Sequence, residues 1–396
     1  MSGETELPQL RFIPFRRADI VQMCLSDERL DAVGKDRFIR TSELIETHYQ
    51  KEFHSLRNGL KDAYALIDPD SDTRLLPAFA QPQTTAEIVP LLEQVLERGN
   101  YERVTDEALK RAMNTSSLFQ LRLHVDMGEF DEVLLYTRGA SARNEVIREF
   151  FGLWKRNVRF TNFDRVVLFI RFKENVDSDS ALGECPPGST MLKLFQNVPE
   201  ADIEMLFPNI RLGMRLLDKL IIGVPAVISG TIVVTTRLGA TVLLLGSLLG
   251  FWLGMSTEPV KIDNAALIAL GASIAALAGY VWKQFSNFRN RKLKYTQALT
   301  ENLYFKLLDN NAGVIHRVVD DAEESECKES MLAYYFLLVA QGPLSSEELD
   351  GRIESWMAER WHCKLDFEIG DALNKLDQLG LACESAGEWS LADPGA

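Results

Sequence analysis

Along most of the chain apolar and polar positions alternate at helix or strand spacing, but between Leu220 and Trp282 the polar positions nearly vanish. Leu220–Thr257 holds one charge, Arg237, and Asn264–Trp282 holds none. As helices, Leu238–Met255 and Ala265–Trp282 would each be about 27 Å long, close to the ~30 Å of a bilayer's hydrocarbon core. The pattern therefore predicts a two-helix transmembrane hairpin turning at the polar connector Ser256–Asn264. Gly246, Gly250 and Gly254 in one helix, and Gly271, Ala275 and Gly279 in the other, recur every four residues, the spacing at which small residues let helices approach. Basic flanks lie on both sides: Arg211, Arg215 and Lys219 before, then Lys283, Arg289, Arg291, Lys292 and Lys294 after, with Trp282 at the expected interface. The positive-inside rule then places both termini in the cytoplasm. Ile221–Thr236, interrupted by Pro225 and Gly230, reads as an interfacial or re-entrant stretch.

Elsewhere the periodicities are those of a folded domain. Leu44, Ile45, Tyr49, Phe53, Leu56 and Leu60 mark one helical face, and a second helix begins near Thr84 and stops at Gly99. "LFQLRLHVD" alternates as a strand, with "DEVLLYTRG" as its hairpin partner, and "RVVLFIRFK" (Arg165–Lys173) is a continuous apolar strand covered on both faces. "NEVIREFFGLWKR" carries a broad apolar stripe and predicts a helix lying on that sheet. Tyr295–Val319 continues as helix. "ESMLAYYFLLVA", "LSSEELDGRIESWMAERW" with Ser345 and Glu348 in capping-box spacing, and "DFEIGDALNKLDQLG" predict three helices, followed by a hairpin about Ala386–Gly387.

The resulting fold class is an α+β membrane-anchored protein. It has a tail over 1–10, a mixed helical and antiparallel-sheet domain over 11–205, and a juxtamembrane segment with the transmembrane hairpin over 206–294. Connecting helices and an acidic linker span 295–325, and a winged-helix-like domain spans 326–396.

Charge refines this picture at one end. Of the formal net −14, residues 320–396 hold 18 acidic and 5 basic side chains, a net −13. The helix that would enter a DNA groove carries Asp366, Glu368, Asp371 and Asp377 against Lys375, which repels phosphates. A protein contact, and no nucleic acid, is the expectation. Five scattered cysteines form no paired spacing, which points to a reducing compartment without a disulfide framework.

Candidate chemistry is sparse. Asp68, Asp70 and Asp72 alternate on a turn and suit either a hard divalent cation or a helix-terminating turn around Pro69. A calcium loop starting at Asp68 would need Gly and Glu where Thr73 and Phe79 stand. The histidines show no paired ligand spacing, and no nucleophile-elbow, phosphate-loop or dinucleotide motif occurs, so no cofactor is expected. Arg16 and Arg17, and Lys155, Arg156 and Arg159, form basic clusters suited either to anionic headgroups or to solvent.

"RFIPFRRADIV", "DPDSDT", "LKLFQNVPEADIEMLFPNIRLGMRLLDKL" and the basic helix after the spans resemble the family of uncharacterised proteins that includes mitochondrial transmembrane protein 143. The resemblance implies a membrane protein with two spans and supplies no catalytic residue. In its most specific block, Val198–Leu220, Met205, Leu206, Phe207 and Pro208 would seat at the membrane interface. No transit sequence is visible, which favours a bacterial cytoplasmic membrane over a mitochondrial inner one. The functional expectation is a non-catalytic, membrane-anchored scaffold whose partners are the lipid bilayer, other proteins and further copies of itself. A metal-dependent enzyme using Asp68, Asp70 and Asp72, and a small oligomeric channel, are the alternatives.

Overall fold

The computed structural model describes residues 9–70, 88–105, 107–109, 122–149, 154–174, 188–213, 252–253 and 264–392. In chain order the elements are α1 (Arg17–Leu25), α2 (Ala32–Tyr64), α3 (Ile88–Arg98), β1 (Glu102–Arg103), β2 (Arg122–His124), β3 (Phe130–Glu149) and β4 (Trp154–Phe172). They continue with β5 (Thr190–Pro199), β6 (Arg211–Gly213), α4 (Asn264–Lys306), β7 (Leu307–Asn310), α5 (Ala312–Leu338), α6 (Ser346–Trp361), α7 (Ile369–Gln378), β8 (Ala382–Ser385) and β9 (Glu388–Leu391). Contacts divide the chain into one unit of residues 1–115, 125–210 and 306–396, and a second of residues 116–124 and 211–305.

The first unit is built on an antiparallel sheet in the order β1-β3-β4-β5-β7. Its centre is β4, where Val166, Val167, Leu168, Phe169 and Ile170 are all buried, as a strand covered on both faces requires. α5 is the central helix: Cys327 and Met331–Leu337 are buried without interruption, and α1, α2, α3, α6 and α7 all pack against it. α2 contributes Phe38, Ile45, Tyr49, Phe53, Leu60 and Tyr64, steps of four and seven that hold one face toward α5. Burying each such side chain contributes about 1.5–3 kcal/mol. Where hydroxyls enter this core they are matched: Tyr49 and Ser330 hydroxyls lie 3.0 Å apart, and Thr41 donates to the Tyr334 hydroxyl at 3.1 Å.

The sequence reading sets 326–396 apart as a domain, but α5 fills the core between α2 and α7 and joins these residues to the first unit. Within them the anticipated local features are present. Ser345 and Glu348 close a capping box on α6, Ile369, Ala372, Leu373 and Leu376 are the buried face of α7, and β8 and β9 turn at Ala386–Gly387, both with positive φ.

Several expectations are corrected. Among the described residues no helix is long and apolar enough to cross a membrane, so the transmembrane hairpin, the integral-membrane function and the multi-pass membrane localisation are not carried further. Leu238–Met255 lies outside the described residues apart from Trp252 and Leu253, as do Arg215, Lys219, Gly246, Gly250 and Gly254. Ala265–Trp282 is helical, but it belongs to the 43-residue α4, which continues past Trp282 through Lys283, Arg289 and Lys294 without a terminus. Ten of its eighteen residues are Ala, Gly or Ser, which supply little apolar surface. Gly271, Ala275 and Gly279 are exposed on α4, and a Cβ at either glycine would meet nothing, so no described neighbour uses that small-residue face.

Of the helix expected over Asn144–Arg156, the described residues Asn144–Glu149 and Trp154–Arg156 are instead strand. Asn144–Glu149 of β3 pairs with Trp154–Arg159 of β4, because cross-strand pairing outweighs a stripe that a short run cannot distinguish from helix. "RLH" pairs with β6 in the second unit, with His124 opposite Arg211, rather than with the strand that follows it. Tyr295–Val319 breaks at β7, where Asn311 takes φ +49 and its N–H donates to the Leu192 carbonyl at 2.7 Å. Met205, Leu206 and Phe207 do not seat at an interface: the first two are buried in a 3-10 turn after β5, and Phe207, buried just beyond it, meets Phe130.

Candidate functional site

The N-terminal segment Phe12–Arg16, the β3–β4 ladder and the middle of α5 border a cleft of about 580 Å³. Arg138 and Arg165 line it from the sheet, Asp164 stands beside them, and Asp321, Glu324 and Lys328 line it from α5. All belong to the first unit. The volume lies within the ~300–1,000 Å³ typical of small-ligand sites.

Arg138 is the floor. It is only 8% exposed, its Nη1 lies 3.2 Å from Asp321 Oδ2, and its Nη2 donates to Ser325 Oγ at 3.1 Å. Its guanidinium sits 4.6 Å from the Phe12 ring centre and 5.5 Å from that of Tyr101, distances at which a ring face attracts a cation. Nε is buried without a hydrogen-bond partner. Asp321 is already shared, since the Tyr101 hydroxyl donates to its Oδ2 at 2.7 Å.

Antiparallel register sets Arg165 directly opposite Arg138. Like charges in that position destabilise a sheet unless an anion lies between them. Arg165 Nη1 donates to the Asp164 carbonyl at 3.3 Å, and among the described residues Arg165 forms no ion pair. The backbone between these residues is fixed by Gly139, with φ +69, where a Cβ would lie 2.5 Å from Asp164 Oδ2. Glycine is favoured there by its conformation.

Lys328 forms the other wall. Its ammonium donates to the Ile13 and Phe15 carbonyls at 3.1 and 3.2 Å and stands 4.0 Å from Glu324, tying the N-terminal segment to α5. Burial lowers its pKa, against the pull of Glu324. Glu324 is also drawn to Arg17, 3.5 Å away. Two of the three acids are thus engaged by groups other than a ligand, while Arg138 Nε is buried without a partner and, among the described residues, Arg165 forms no ion pair.

Of the residues singled out from sequence, Arg16 reaches the rim of this cleft, with its guanidinium bound to Asp19 at 2.8 Å. Arg17 is a structural cation, set among Glu46, Glu323 and Glu324. Asp68 and Asp70 form a turn in which Asp70 N–H donates to Asp68 Oδ1 at 3.0 Å, and Asn311 Nδ2 donates to Asp70 Oδ2. Asp72 lies outside the described residues, among which no cluster of three or more His, Cys, Asp or Glu is placed to hold a metal ion. Trp282, Lys283, Arg289 and Lys294 are exposed on α4. For Arg211, Lys155, Arg156, Arg159, Arg291 and Lys292 only the backbone is described.

Sequence reasoning missed Arg138, Arg165, Asp321 and Lys328. Two signals were there: a charge interrupting each of the apolar strands "LLYTRG" and "FDRVVLF", and a lone lysine in the acidic run "AEESECKES".

A family model described as "Protein of unknown function (DUF3754)" matches residues 163–313. This stretch includes Asp164, Arg165 and the Val198–Leu220 block, and leaves out Phe12–Arg16, Arg138 and the α5 residues of the cleft. No solved structure matches the chain.

Proposed function

We propose that the first unit is a binding module that takes a small anionic ligand, one bearing a phosphate or carboxylate, in the cleft between Phe12–Arg16, β3–β4 and α5. The observation that carries this reading is the pairing of Arg138 with Arg165. Two arginines stand at paired positions of adjacent strands and line one cleft; Arg138 is nearly sealed from solvent, with Nε unpartnered beside its ion pair to Asp321, and among the described residues Arg165 forms no ion pair. A planar guanidinium matches an oxyanion in a bidentate manner, and Lys328 adds a further positive charge to the same space. Phe12 and Phe15 supply the apolar wall such sites need.

Calorimetric titration of the full chain with inorganic phosphate, citrate and a nucleoside monophosphate tests it. Binding of at least one probe is expected, weakened about tenfold or more by Arg165→Ala, which removes a partly buried side chain at the edge of the cleft. Absence of binding by all three, or equal binding by wild type and Arg165→Ala, contradicts the reading. We further propose kinship with the family that includes mitochondrial transmembrane protein 143, supported by the block from Val198 to Leu220.

A further inference from the structure

Most of the charge that lines the cleft is matched within the protein. Asp321 is shared between Arg138 at 3.2 Å and the Tyr101 hydroxyl at 2.7 Å, and Glu324 lies 3.5 Å from Arg17 and 4.0 Å from Lys328. Two side chains are left over. Asp164 and Arg165 are consecutive on β4, both line the cleft, and among the described residues neither the carboxylate nor the guanidinium forms an ion pair. They do not answer one another, because the bond between them runs from Arg165 Nη1 to the Asp164 main-chain carbonyl and leaves the carboxylate out. Both side chains are partly buried, where a charge without a partner costs more than it does in bulk water.

The fold brings the free acid to the aromatic wall. A Cβ on Gly139 would lie 2.5 Å from Asp164 Oδ2 and 3.1 Å from the Phe12 ring, so the carboxylate and the ring meet above one glycine. The same ring lies 4.6 Å from the Arg138 guanidinium. One space therefore offers an unpaired carboxylate, an unpaired guanidinium and the apolar surfaces of Phe12, Pro14 and Phe15.

A purely anionic ligand answers Arg165 but is repelled by Asp164, which it leaves unpaired. A ligand with one anionic and one cationic end answers both, through charge-assisted hydrogen bonds at each. A metal ion brought in beside the anion is the poorer answer, because a hard cation takes several oxygen ligands and among the described residues no three His, Cys, Asp or Glu side chains are placed to hold one. A protonated primary amine is satisfied by a single carboxylate and nearby acceptors.

Building on the anion site proposed for the same cleft, we propose that its ligand is a zwitterion: a small molecule that sets a carboxylate or phosphate on Arg165 and Arg138 and a primary ammonium on Asp164, as an amino acid or an amino-alcohol phosphate can. Calorimetric titration of the full chain at neutral pH with two matched pairs tests this. The pairs are O-phosphoethanolamine with monoethyl phosphate, and phenylalanine with 3-phenylpropionate, the members of each differing by one ammonium. The amine of at least one pair is expected to bind about tenfold or more tighter than its partner. Asp164→Asn keeps the shape of the side chain and removes its charge. It should bring the two members of that pair within about twofold of one another, while the member without the ammonium binds at least as well as it does to the wild type, which shows the cleft to be intact. Arg165→Ala should weaken both members alike. Equal affinities within both pairs overturn the proposal, as does an amine preference that survives Asp164→Asn or one that appears only with added Mg²⁺. The two readings fail separately: binding of inorganic phosphate or monoethyl phosphate with no preference for an amine removes the zwitterion and leaves the anion site, whereas a chain that binds none of these probes loses both.

Discussion

On α5, Glu326 and Glu329 look toward α3 and α7, whereas Asp321, Glu324 and Lys328, on other faces of the same helix, look toward Phe12–Arg16 and the sheet. The first group is closed. Glu326 is fully buried, receives Arg98 Nε at 2.7 Å and meets the Lys375 ammonium; Glu329 accepts from Asn100 Nδ2 at 2.8 Å and lies 3.7 Å from the same ammonium. Arg98 continues to Glu52 at 2.7 Å and lies over the Phe53 ring. The second group is open: it borders a cleft that Arg138 and Arg165 line from paired positions of β3 and β4. Charge matched within the protein holds α3, α5 and α7 together, while charge left unmatched beside a cavity is available to a ligand.

The largest effect that would sharpen this contrast is removal of Glu326. Glu326→Ala leaves Arg98 and Lys375 inside without their shared acid, and urea unfolding should show a loss of about 3–5 kcal/mol. Arg138→Ala, at the open cluster, should cost less, about 1–3 kcal/mol, because Asp321 keeps the Tyr101 hydroxyl. Equal losses in the two variants would break the comparison.

A second test uses pH. Burial pushes the Glu329 carboxyl up to about 7, although Lys375 and Asn100 favour its charged form. Its folded value stands above the unfolded one, so the stability it contributes is complete below about pH 4.5 and is lost as pH rises through 7. Asp27 works in the opposite sense. Burial alone would raise it, but hydrogen bonds from Arg29 hold it well below the usual carboxylate range, so its contribution is lost as pH falls below about 3.8. Urea midpoints should therefore be highest near pH 4 and decline as pH rises toward 7, and Glu329→Gln should flatten that decline. An unchanged decline in that variant would remove Glu329 from the explanation.

The smallest effect concerns local structure. Ser345→Ala opens the capping box of α6 and should lower stability by about 1 kcal/mol without changing ligand titrations, since α6 does not line the cleft. A change in ligand binding would mean that the two regions are coupled.

What was legible in the sequence follows from which interactions are local. The spacing of Phe38, Ile45, Tyr49 and Phe53, the Ser345–Glu348 cap and the Ala386–Gly387 turn depend on neighbours a few residues away, and these features appear where the pattern puts them. The strand character of Asn144–Glu149 depends on a partner across the ladder, and the break at Asn311 depends on Leu192, Tyr64 and Asp70, all more than a hundred residues distant. The hydrophobic signal that suggested two membrane helices is a property of composition alone, and among the described residues it does not produce a helix able to span. The cleft was the least legible part. Phe12, Arg138, Arg165 and Lys328 come from four separated stretches, and only the pairing of β3 with β4 makes the two arginines neighbours.

In the proposed site an anion completes the open cluster. A ligand that binds only the folded chain raises its stability with the logarithm of ligand concentration once the site is filled. Urea midpoints of the wild type and of Arg165→Ala should be measured against increasing inorganic phosphate, with chloride as the control for ionic strength. The account predicts a midpoint that climbs with phosphate in the wild type, beyond the chloride effect, and stays level in Arg165→Ala; parallel curves for the two proteins would contradict it.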